Sequence, residues 1–116
     1  MSHQDDRAIA DALARAQQKG RACALATIVA TKGSTPRKVG ARLVVDPLLG
    51  LTGTIGGGCG EGEVIEAARR VIETGRPERV QVDLTDDFLS WSPAVCGGVM
   101  DVFVEMVGPV GAPEAP

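Results

Sequence analysis

A short apolar stretch runs into Gly56-Gly57-Gly58-Cys59-Gly60-Glu61, and an amphipathic helical pattern begins at once. Glycines there let the backbone reach conformations closed to other residues, so that amides can point into a cavity at a helix start, where the dipole favours anions. A thiol held in that place, Cys59, is one whose pKa tends to fall. A second cysteine, Cys96, precedes Gly97-Gly98 and a strand pattern. If the two meet in one cavity, their soft thiolates could bind a soft metal or a sulfur ligand. The run therefore suggests a site for an anionic, sulfur- or metal-containing ligand, and the competing reading of the same residues is a tight strand-to-helix turn with two small buried thiols.

Gly33-Ser34-Thr35-Pro36-Arg37-Lys38 is the second candidate. Arg37 offers a planar fork for phosphate, and Ser34 and Thr35 offer hydroxyl donors. A solvated turn with two surface charges is the plain alternative, and the loop gains meaning only if it sits beside the glycine turn. Glu61 could serve as acid, base or helix-start charge, whereas Glu63 reads as a first-turn carboxylate and Asp86-Asp87 as solvated. Several chemistries are excluded. No Gly-Lys-Ser/Thr follows the glycines, so this is no P-loop, and the spacing is not that of the dinucleotide fingerprint. Zinc needs about four ligands at paired spacings, and the single histidine is His3. With no histidine in the body of the chain, a Ser/His/Asp hydrolase is excluded as well.

These residues need elements to hold them. The spacing of Ile9, Ala12, Leu13 and Ala16 predicts a helix over Asp5–Lys19. Ala22–Ala30 is almost continuously apolar and reads as a strand covered on both faces, with Cys23 in the core. Strands follow at Ala41–Val45 and Leu51–Ile55. Val64, Ala68, Val71 and Ile72 mark a helix from Glu61, closed by Gly75 and Pro77. Alternating Val80, Val82 and Leu84 predict a strand over Arg79–Leu84, then a long loop to Gly98, then a last strand over Val99–Val107. The order α-β-β-β-α-β-β predicts one α/β (α+β) domain, residues 5–107, with a mixed sheet of about five strands and two helices, and a flexible tail at 108–116. A net charge of −3 and 3% aromatic residues offer neither a basic footprint nor stacking platforms for nucleic acid. No apolar run of about 18 residues exists to span a membrane. The first residues lack a signal-peptide pattern, and three cysteines without close pairing argue against a disulfide framework, so a cytoplasmic protein is expected.

The three motifs in this order resemble the XdhC/CoxI family: Gly33-Ser34-Thr35-Pro36-Arg37, Gly53-Thr54-Ile55-Gly56-Gly57-Gly58-Cys59-Gly60-Glu61, and Cys96-Gly97-Gly98 with the Val102-Phe103-Val104-Glu105 strand. The likeness to its N-terminal domain runs from about Ala8 to Glu105. The resemblance implies an accessory factor, without turnover of its own, for a molybdenum hydroxylase of the xanthine or carbon monoxide dehydrogenase type. Such a factor holds the molybdenum cofactor and aids its sulfuration or insertion. Carried over by matching positions, Cys59 and Cys96 are the candidate cofactor and metal contacts. Gly56, Gly57, Gly58, Glu61, Gly97, Ser34 and Arg37 join them around the cofactor and its phosphate. The implied partners are the apo-hydroxylase and a separate Rossmann-domain protein or cysteine desulfurase, because longer members carry a second, Rossmann-like domain; a homodimer stays open. Two rival functions remain: an interaction subunit that docks to such a partner without binding cofactor, and a small thiol-based redox or sulfur-carrier protein using Cys59.

Overall fold

The computed structural model describes residues 3–55, 60–84 and 97–108, with side chains from Asp6 onward. The elements are α1 (His3–Gln18), β1 (Cys23–Lys32), β2 (Arg42–Asp46), β3 (Gly50–Gly53), α2 (Glu61–Thr74), β4 (Glu78–Asp83) and β5 (Val99–Val107). The five strands form one sheet in the order β3-β2-β1-β5-β4. With a helix on each face, this is the expected α+β fold in the expected order of elements.

The sheet is not mixed. Every neighbouring pair is antiparallel. The crossover β3-α2-β4 does join two strands of like direction, but they lie at opposite edges, with β2, β1 and β5 between them. The apolar run of β1 misleads on this point. It signals burial on both faces, which parallel sheets usually have. Here β1 is an antiparallel central strand with one face buried, at Ala24, Ala26 and Ile28 under α2; its other face is fully buried only at Cys23 and Val29 is exposed, because α1 packs on β2 and β3.

The period-two alternation of the strands sorts the core into two layers. Ala24, Ala26 and Ile28 of β1 point with Leu43, Val45, Val82, Met100, Val102 and Val104 toward α2, which brings Val64, Ala67, Ala68 and Val71 to them. Cys23 of β1 and Val44 of β2 point the other way and meet Ile9, Ala12 and Ala16 of α1. These are the stripes the helical spacing predicts. Burying a valine or isoleucine of this kind contributes about 1.5–3 kcal/mol, so the sandwich of two apolar helix faces around the sheet is the main source of stability. Gly75 ends α2, its N–H donating to the carbonyl of Val71 at 2.7 Å.

At the end of the sheet where β1 begins and β2 ends, an ion pair closes the structure. Arg21 reaches Asp46 through Nη2–Oδ2 at 3.0 Å and Nη1–Oδ1 at 3.5 Å. Asp46 is only 6% exposed. Its Oδ1 also accepts the N–H groups of Leu48 and Leu49 at 2.9 and 3.2 Å, which shapes the β2–β3 turn. A buried carboxylate is tolerated because cation and amides together replace its water. Among the described residues no helix is long and apolar enough to cross a membrane.

Cys23 is fully buried and its thiol donates toward the Val107 carbonyl at 3.8 Å. Burial raises its pKa, the Asp46 carboxylate raises it further, and Arg21 acts in opposition. The neutral thiol is thus favoured by the fold, and the unfolded chain releases this proton first, near pH ~8.5. Stability linked to Cys23 is complete below that pH and is lost as pH rises through the higher folded value. Thermal melts from about pH 8 to about pH 10 are expected to show a steeper loss of Tm for the wild type than for Cys23→Ala; parallel curves would contradict the assignment.

Candidate functional site

The antiparallel register brings one set of strand termini together. Lys32 at the end of β1, Gly53 at the end of β3 and Asp83 at the end of β4 lie at the same end of the sheet as Arg42 and Val99, the first residues of β2 and β5. All three motif segments leave the sheet there. Gly56, Gly57, Gly58, Cys59 and Cys96 lie outside the described residues. Their described neighbours Ile55, Gly60 and Gly97 belong to this end, as do Ser34, Arg37 and Glu61.

The closest approach is between the first and third motifs. β1 continues past a bulge at Ile28/Ala30 and pairs Ala30, Thr31 and Lys32 with Asp101, Met100 and Val99. The strand ends two residues later than its apolar run suggests, because the β5 ladder, not hydrophobicity, carries it on. Gly33, in the left-handed region at φ 78°, then lies across from Gly97-Gly98. A Cβ on Gly98 would stand 2.6 Å from the carbonyl oxygens of both Lys32 and Ser34 and 2.7 Å from the Thr35 methyl. No side chain fits that space without moving backbone. The Gly33–Arg37 loop and the glycines after Cys96 are therefore packed directly on each other.

The second motif is fastened to the same place by its flanks. The Leu84 N–H donates to the Gly98 carbonyl at 2.8 Å, which ties the exit of β4 to the entry of β5. Gly60, the residue before α2, has φ 75° and leans on Val82: a Cβ there would overlap Val82 Cγ1 and come within 3.4 Å of Leu84 Cδ2. Only glycine meets both conditions, a positive φ and no room. Glu61 turns back across the run. Its Oε2 accepts the Thr54 hydroxyl at 2.6 Å and the Ile55 N–H at 3.3 Å. The carboxylate thus ties together the two chain segments that flank Gly56–Cys59, a bracing function that its expected place at the cofactor did not include. Glu63 is exposed, as a first-turn carboxylate should be.

An open cleft of about 390 Å³ lies beside the Gly33–Gly98 contact, lined by Thr31, Gly33, Ser34, Thr35, Lys38 and Val39. Arg37 is half-buried and is not one of its lining residues; its carbonyl accepts the Thr35 hydroxyl at 2.8 Å. Thr31 and Val39 were not legible as site residues. Thr31 was hidden because the strand was expected to stop at Ala30, and Val39 because an isolated valine in a polar loop carries no signal. Among the described residues no group of three or more His, Cys, Asp or Glu side chains is placed to hold a metal ion.

Comparison with known proteins agrees with this architecture. The model of the XdhC and CoxI family matches residues 16–83, more than half of the chain. The chain belongs to the XdhC and CoxI family. It is 32% identical over 95 residues to the uncharacterized protein YqeB of Escherichia coli K12, an alignment that spans 82% of this chain and 17% of YqeB. A crystal structure of a protein named xanthine dehydrogenase, from Bacillus halodurans, superposes with a TM-score of 0.69 at 30% identity, covering 84% of this chain and 30% of that one. The chain thus spans less than a third of either relative.

Two substitutions test the construction of this end. Gly98→Ala must push backbone carbonyls aside and is expected to cost about 2–3 kcal/mol, whereas Gly97→Ala, with none of the described residues within 4 Å of a Cβ, should stay within about 0.5 kcal/mol of wild type; urea unfolding of the pair measures the contrast. Removing the brace with Glu61→Ala should cost about 1–3 kcal/mol. Glu61→Gln keeps an acceptor for Thr54 and Ile55 and should lose less than half of that, so equal losses in the two variants would argue against the hydrogen bonds as the cause.

Proposed function

We propose that this chain is an accessory factor of a molybdenum hydroxylase that holds the molybdenum cofactor and aids its sulfuration or insertion, without turnover of its own. The observation that carries this is the meeting of the Gly33–Arg37 loop with Gly97-Gly98, beside the described flanks of the Gly56–Cys59 run. Three motifs far apart in sequence share one end of the sheet, and each contributes a different kind of group. Family membership and the likeness to a protein named xanthine dehydrogenase point to a hydroxylase of that type as the partner.

The residues fit such a cofactor chemically. Its phosphate would meet the hydroxyl of Ser34 and the cations of the loop, and a hydroxyl with cations suits a phosphate better than any neutral group. Gly97 leaves open space that a larger residue would fill. Cys59 and Cys96 would supply thiolates to the soft metal and dithiolene end, and Gly56, Gly57 and Gly58 would let amides approach closely. When bound, the cofactor supplies the metal and sulfur chemistry of the hydroxylase; the protein's part is to bind, orient and shield it.

A second reading is favoured by a separate observation. Leu48, Leu49 and Leu51, at and beside the β2–β3 turn, are 72%, 63% and 49% exposed. An apolar group of this kind suits an interaction subunit that docks to a Rossmann-domain partner or to the hydroxylase. Gel filtration of the purified protein with molybdenum cofactor separates the two. Retention that falls at least about tenfold in Cys59→Ala and Cys96→Ala is the result expected of the lead reading. No retention, or equal retention by wild type and both variants, would end the cysteine roles, and hydroxylase binding that survives both substitutions would favour the interaction subunit. A Cys59 thiol titrating well below about 8.5, with a persulfide detected by mass spectrometry, would instead favour the sulfur carrier.

A further inference from the structure

The cleft beside Gly33 combines features that the fold does not use. Four cations are spent on structure: Arg21 on Asp46, Arg69 on Glu66, Arg70 on Glu78 and Arg79 on Asp101. Lys38 is exposed and makes no such pair among the described residues. Among the described residues no carboxylate lines the cleft. The Thr35 hydroxyl is committed to the Arg37 carbonyl, but the hydroxyls of Thr31 and Ser34 make no hydrogen bond to another described residue. One wall is apolar, since Val39 is 57% exposed.

We propose that this cleft takes the phosphate monoester end of a small organic ligand. The Lys38 ammonium and the Thr31 and Ser34 hydroxyls hold the phosphate, and Val39 lies against the organic part. A lysine acts on phosphate as a mobile point charge, and hydroxyl donors on either side suit a tetrahedral oxyanion better than a planar carboxylate, which favours an arginine fork. The volume of about 390 Å³ lies near the lower limit of ligand sites, roughly 300–1,000 Å³. It suits one end of a ligand whose remainder extends toward Gly97. The inference rests on the proposed ligand-holding role and moves the phosphate contact from Arg37 to Lys38.

Titration of the labelled full chain with inorganic phosphate, followed by amide NMR shifts, tests it. Shifts should cluster at Thr31, Ser34, Thr35 and Lys38. Lys38→Ala should weaken binding about tenfold, with its melting temperature unchanged because the side chain is exposed and makes no ion pair among the described residues. Shifts confined to the start of α2, or an affinity unchanged in Lys38→Ala, overturn the assignment. Phenyl phosphate should bind more tightly than inorganic phosphate, and Val39→Ser should remove that gain; no preference for the phenyl ester overturns the place given to the organic part. Phosphate binding at this cleft without cofactor retention would sink the cofactor reading alone, and cofactor retention that Lys38→Ala leaves unchanged would sink the cleft alone.

Discussion

The continuation of the β1–β5 ladder beyond the bulge at Ile28/Ala30 is the constraint on which the rest of the structure depends. Pairing through Lys32 and Val99 carries the backbone of the Gly33 loop onto Gly98 at a distance that excludes any side chain. Once Gly98 is held there, its carbonyl receives the Leu84 N–H, β4 ends in register beside it, and Val82 and Leu84 present the surface on which Gly60 starts α2. A single strand pairing thus assembles pieces of three motifs. A break in the ladder at the bulge would release all of them at once, because each depends on the one before.

The two ends of the sheet are built on opposite principles. At the end near Asp46, charge is internal: a buried carboxylate is satisfied by a bidentate arginine and two turn amides, which leaves little to offer a ligand. At the other end the polar groups face an open cleft, and glycines hold the backbone where larger residues would fill space. Loops presented by a rigid scaffold in this way are common where recognition is carried by loops. Glu61, a carboxylate at the head of α2, clasps the residues that follow β3.

Membership of the XdhC and CoxI family gives the arrangement its context. The two relatives are several times longer than this chain, so the sheet end described above corresponds to a part of those proteins and not to the whole of them. Within that part, the conformational demands at Gly33, Gly60 and Gly98 explain why glycine recurs at the motif positions. Each sits at a close approach or a positive φ that a side chain would not tolerate.

Much of the fold was legible in the sequence, because periodicity is a local property. The stripes Ile9/Ala12/Ala16 and Val64/Ala68/Val71 and the alternation around Val82 each report a face that must be buried, and the observed burial follows them. Residue types alone also singled out the three glycine motifs whose described parts share one end of the sheet. Neither strand direction nor the coverage of β1 was legible: its apolar run says nothing of which neighbour runs which way, and its second face is fully buried only at Cys23. Nor could the sequence reveal that Thr31, Lys38 and Val39 share a cleft, that Glu61 braces its own loop, or that Gly98 rather than Gly97 is the position without room. The crowding at Gly98 depends on pairing between residues some 65 positions apart in the chain, such as Lys32 and Val99, while the cleft and the Glu61 brace depend on how each loop folds back on itself, which residue types alone do not specify.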